Sequence, residues 1–130
     1  MQLGYSTTVT TDFDDAVERT RAALADEGFG VLTEIDVTAT LKKKIDADIE
    51  PYLILGACNP GLAHRALGVE RQIGLLLPCN VVVRANPDVD GEVIVEAMNP
   101  DIMVQVADAP GLPDVAAEAS TKLKAAIAAI

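Results

Sequence analysis

Aromatic side chains are almost missing from this chain. Tryptophan is absent, and Tyr5, Phe13, Phe29 and Tyr52 are the only aromatics among 130 residues. They are scattered, so they offer no platform on which bases could stack. Cations are scarce too: ten Lys and Arg stand against 20 Asp and Glu, a formal net charge of −10. A nucleic-acid surface needs clustered Lys and Arg to displace counterions. The one basic run, Lys42-Lys43-Lys44, is followed by Asp46, Asp48 and Glu50, and is expected to be a solvated turn or helix end. Nucleic acid is thus excluded as a partner. No apolar run reaches the roughly 18 residues of a membrane span, so no membrane partner is expected. The start, Met1 to Ser6, lacks the basic head and apolar stretch of a secretory signal. The cytoplasm is the expected compartment, and there two cysteines are expected to be free thiols rather than a staple.

What is present is aliphatic. Half the residues are hydrophobic, so the core must be built from Val, Leu, Ile and Ala. A chain of this length fits one domain, residues 1–130, and buries enough surface to fold without disulfides or metal.

The order of elements follows from periodicity and punctuation. Tyr5 to Thr11 is rich in β-branched residues and predicts a strand. Asp12 is a helix cap, and Phe13, Val17, Thr20 and Leu24 share one helical face. Gly28 and Gly30 stop that helix. Residues Val31 to Ala39 alternate as a half-buried strand does, and Leu41 to Asp46 predicts a short helical turn. Tyr52 to Ala57 is continuously apolar and is expected to be a strand covered on both faces. Asn59-Pro60 starts a short helix running to about Leu67, where Gly68 is expected to break it. Asn80 to Ala85 and Glu92 to Ala97 form a hairpin around Asn86 to Gly91. Asn99-Pro100 repeats the cap-then-proline start for a helix to Val106, and Pro113 opens a final amphipathic helix. Hairpin-linked strands with helices grouped on one side predict an α+β two-layer sandwich, an antiparallel sheet with helices on one face.

The side chains best suited to soft-metal ligation and to thiol chemistry gather in one stretch. Both cysteines, Cys58 and Cys79, and the only histidine, His64, lie between residues 58 and 79. Each cysteine precedes an asparagine at a change of chain direction. Cys58 stands just before a helix start, where backbone N–H groups and the dipole favour an anion, which makes it the candidate thiolate and the candidate catalytic residue. His64 lies about one and a half turns into that helix. Together Cys58, Cys79 and His64 would make a Cys2His set with one open position, suited to Zn or Cu. Thiol redox is the parallel reading of the same residues. Free cysteines are also commonly buried as small hydrophobes, so a structural role stands beside the chemical one. Cysteine-nucleophile hydrolysis comes third, because no base is evidently placed. Arg65 and Arg84 are lone candidates for binding an anion.

The run Tyr52-Leu53-Ile54-Leu55-Gly56-Ala57-Cys58-Asn59-Pro60, with Leu62-Ala63-His64-Arg65-Ala66-Leu67 and then Ile73-Gly74-Leu75-Leu76-Leu77-Pro78-Cys79-Asn80-Val81-Val82-Val83, resembles domain-of-unknown-function family 302. The likeness extends to the opening strand, the Asp-rich helix start, the Lys42-Lys43-Lys44 region and the closing helix. It implies a TATA-binding-protein-like fold, one β-α-β4-α unit with extra short helices, and a homodimer. It does not imply DNA binding. The family has no agreed activity, but its motif includes Cys58, His64 and Cys79. Two functions therefore stand side by side: a cytoplasmic protein that binds a soft metal ion or works in thiol redox through these three residues, and a non-catalytic homodimeric module, binding a small ligand or a partner, in which the cysteines are structural.

Overall fold

A computed structural model describes residues 1–130. Strand β1, Gly4–Thr10, ends at Asp12, whose carboxylate accepts the Asp15 N–H at 2.8 Å and starts helix α1, Phe13–Asp26. This is the side-chain cap expected of Asp at that position. Helix α1 buries Ala16, Thr20, Ala23 and Leu24, with Phe13 and Val17 packed alongside. Its end is a Schellman turn: the N–H groups of Gly28 and Phe29 donate to the carbonyls of Ala25 and Leu24. Gly28 has φ +83°, a conformation that costs any side chain but glycine about 1 kcal/mol or more. The turn delivers Phe29 into the core.

Strand β2, Gly30–Asp36, stops sooner than the alternation predicts. Asp36 accepts the Ala39 N–H at 2.9 Å and opens helix α2, Val37–Ile45. The alternation up to Ala39 carries no strand beyond Asp36 because that local cap overrides it. Lys42, Lys43 and Lys44 occupy the last turn of α2, and Lys42 pairs with Asp46 at 2.8 Å and Asp48 at 3.1 Å. Those two carboxylates raise the Lys42 ammonium above its ordinary pKa. The lysine run is a solvated helix end in which Lys42 is paired with carboxylates.

Strand β3 spans Tyr52–Cys58, followed by helix α3, Pro60–Val69. Gly68 lies within α3 rather than ending it, and a 3-10 turn follows at Arg71–Leu76. Strands β4, Cys79–Ala85, and β5, Glu92–Met98, form the hairpin. Helix α4, Asp101–Val106, and the long helix α5, Leu112–Ala128, complete the chain.

The strands make one antiparallel sheet in the order β1-β5-β4-β3-β2. Period-two alternation sends Leu53, Leu55, Ala57, Val81, Val83, Val93, Val95 and Ala97 to the inner face, where they meet Ala16, Leu24 and Leu123 of α1 and α5. The fold is α+β, a five-stranded antiparallel sheet with helices on one face. Strand β3 is therefore covered on one face only; Tyr52 and Ile54 on its other face are half-buried by their sheet neighbours. A second apolar cluster sits at one end of the sheet, where α3, α4 and the start of α5 bring together Leu62, Ala66, Met103, Leu112, Val115 and Ala119. No helix is long and apolar enough to cross a membrane.

A sulfur-lined cavity as candidate functional site

Strands β3 and β4 position the two cysteines. Ala57 stands directly opposite Cys79 in the ladder, so Cys58, one residue further along β3, ends beside it. The chain then turns on Asn59, whose side-chain oxygen accepts the Leu62 N–H at 3.3 Å, and Pro60 occupies the first helical position of α3. On the other side the chain reaches Cys79 through Leu77-Pro78, a cis peptide. Gly56 permits this approach: a Cβ on it would lie 2.8 Å from Pro78 Cγ and 2.1 Å from Thr33 Oγ1.

Both cysteines are reduced, and both line one cavity of about 30 Å³. Its walls are Leu62 and Ala66 of α3, Val115 and Ala119 of α5, Phe29 after the α1 turn, and Met103 of α4. Asn59 is the only amide, and no carboxylate or imidazole faces the space. Exposure falls inward: Cys58 is partly open, Cys79 is 7% exposed and Met103 is 3% exposed. Burial, with a smaller contribution from the neighbouring Cys58 sulfur, pushes the Cys79 thiol up to about 11. An apolar setting disfavours the charged form, which is the expected sign. No buried side-chain nitrogen or oxygen lacks a hydrogen-bond partner anywhere in the molecule. In this cavity the uncommitted donor atoms are sulfurs.

Met103 is placed by a polar anchor. Asn99 is 6% exposed. Its side chain accepts from Tyr5 Oη at 2.9 Å and from the Asp101 N–H at 3.0 Å, and donates to the Gln2 carbonyl at 3.0 Å. Tyr5 Oη also meets Ser120 Oγ at 2.8 Å, which ties the start of α4 to β1 and α5.

The expected trio does not assemble. The structure brings Cys58 and Cys79 to one cavity but leaves His64 on the outer side of α3, exposed to solvent and away from the cavity wall. Helical geometry explains this: Leu62 and Ala66 of α3 face inward, and His64, midway between them, faces out. No group of three or more His, Cys, Asp or Glu side chains is arranged to hold a metal ion. The lone arginines are also engaged, Arg65 with Glu118 and Arg84 with Glu96 at 2.6 Å. The Arg65 hydrogen bond holds the Glu118 carboxyl below the usual range. The residue that sequence reasoning passed over is Met103. Its signal was the second Asn-Pro pair, since both helices opened by that pair line the same cavity.

The sequence model of the family described as "Domain of unknown function DUF302" matches residues 5–130. The chain belongs to this family. A crystal structure of an uncharacterized conserved DUF302 protein from Bacillus stearothermophilus is similar, with a TM-score of 0.88 and 32% sequence identity over 98% of each chain. Among curated proteins, none matches the chain. For this DUF302 domain the shared fold is therefore established, and the reading of its activity rests on the cavity.

Proposed function

We propose that this DUF302 domain is a thiol-based binding protein that captures a soft metal ion at the sulfurs of Cys58 and Cys79. The observation that carries this reading is that the only two cysteines of the chain, both reduced, line the same small apolar cavity. Two thiols lining one cavity favour soft cations over hard ones. The lack of a base beside Cys58 favours binding over nucleophilic catalysis, because a cysteine nucleophile needs a partner to activate it or receive its proton. His64, on the solvent side of α3, has no part in the site.

Titration of the reduced protein with Zn(II), Cd(II) or Cu(I) tests this reading. One ion per chain is expected, with binding lost in Cys58→Ser and Cys79→Ser. Thiols that take up none of these ions, and that react only after unfolding, would leave both cysteines as packing residues.

Thiol redox is a second reading of the same pair, supported by the two free cysteines standing on neighbouring strands and lining one cavity. It predicts a disulfide between Cys58 and Cys79 that forms in a glutathione redox buffer and is detected by mass.

A further inference from the structure

We propose that Met103 joins Cys58 and Cys79 as a third sulfur ligand, and that the ion this cavity takes is Cu(I). This rests on the thiol-pair reading and names its cargo. Three separate elements, β3, β4 and α4, each contribute one sulfur-bearing residue to the lining of the same cavity. At about 30 Å³ the space suits a single ion. It is far below the roughly 300 Å³ at which small-molecule pockets begin.

The donor set then decides between metals. Zinc takes thiolate, imidazole or carboxylate ligands, and in protein sites it is completed to four, with water in an open position. Here the imidazole is outside, the walls carry no carboxylate, and the Asn59 oxygen is committed to the Leu62 N–H. A thioether in place of the missing donors turns the preference to Cu(I), which soft thiolate and thioether ligands select.

The gradient of exposure gives the order of events. Cu(I) arrives at Cys58, the most open of the three sulfurs, and moves inward to Cys79 and Met103. Two thiols become thiolates bound to the ion, and two protons leave to solvent; the thioether gives no proton, and the copper stays Cu(I). The bound unit carries one net negative charge, which the amide groups at the start of the ten-residue helix α3 partly offset.

Competition of the reduced protein against a chromophoric Cu(I) chelator under anaerobic conditions, with X-ray absorption at the copper edge, tests the proposal. One Cu(I) per chain in a shell of three sulfurs is expected. Met103→Leu is nearly volume-conserving, and its fold is checked by circular dichroism. It should weaken Cu(I) binding by about tenfold or more and weaken Zn(II) binding less, because zinc draws on thiolates rather than thioethers. Selenomethionine-labelled wild type, read at the selenium edge, gives a second measurement that needs no mutation, and a copper neighbour at Met103 is expected. Tight Cd(II) or Zn(II) binding, together with Cu(I) affinity untouched by Met103→Leu, would overturn this inference and leave the thiol-pair reading standing. Failure to bind any of these ions would bring down that reading as well.

Discussion

Gly56 lies against Pro78 so closely that a Cβ on the glycine would stand 2.8 Å from the ring's Cγ. The contact spans β3 and the approach to β4, and it sets how the chain enters Cys79. Thr33 can turn its hydroxyl away, but the ring has no comparable freedom. Gly56→Ala is therefore expected to destabilise the fold by about 1–3 kcal/mol and to loosen the cavity around the two sulfurs. Chemical denaturation measures the first effect, and faster alkylation of Cys79 in the folded variant measures the second.

The two thiols should differ in reactivity. Cys58 is partly open, whereas Cys79 is buried and its thiol is held at about 11. At pH 8 iodoacetamide should label Cys58 well before Cys79, as peptide mass mapping over time would show. Equal labelling rates in the folded protein would contradict the burial of Cys79.

Cys79 also makes stability depend on alkaline pH. Its folded-state value of about 11 lies above the ordinary 9.0, so the folded chain holds the proton more tightly than the unfolded one. The contribution is complete below about pH 9 and is lost as pH rises toward 11, on the order of 2 kcal/mol in all. Urea unfolding between pH 8 and pH 11 should show this decline, and Cys79→Ala should flatten it.

Asn99 couples stability to the position of Met103. Asn99→Ala removes its bonds to Tyr5, Gln2 and Asp101 and leaves Tyr5 Oη with Ser120 alone. A loss of about 1–3 kcal/mol is expected on thermal or chemical unfolding. If Met103 ligates Cu(I), the same variant binds it more weakly even though no sulfur has been touched.

His64→Ala should leave metal stoichiometry and affinity unchanged, because the imidazole is exposed and outside the cavity. A substantial loss of binding in that variant would restore the histidine to the site.

Much of the architecture was legible because its signals are local. Asp12 and Asn59 announce their helices by side-chain caps that depend on a few neighbouring residues, and β4 and β5 are joined by turn residues between regular alternations. What escaped depends on partners distant in sequence. The end of β2 was hidden because Val31 to Ala39 keeps its alternation straight through the Asp36 cap. The apolar run of β3 suggested two covered faces, since no single strand reveals that every helix has gone to the same side. At the site, two strands bounding one helix raised the question of whether Cys58 and Cys79 share a cavity, but only the strand register answers it. The departure of His64 follows from the direction Leu62 and Ala66 take in α3, and the arrival of Met103 follows from the docking of α4 through Asn99. Neither leaves a mark in the immediate sequence.

The register of β2 skips a residue between Val31 and Thr33 where it pairs with Ala57 and Gly56, so Leu32 is extra and 68% exposed. This irregularity lies on an edge strand, next to the exposed carboxylates of Glu34 and Asp36. A kinked border that carries charged side chains, Glu34 paired with Arg21 among them, is a poor template for another chain's backbone. The sheet is thereby kept finite on this side, and a protein rich in aliphatic strands is protected from growing into ribbons at its most open margin.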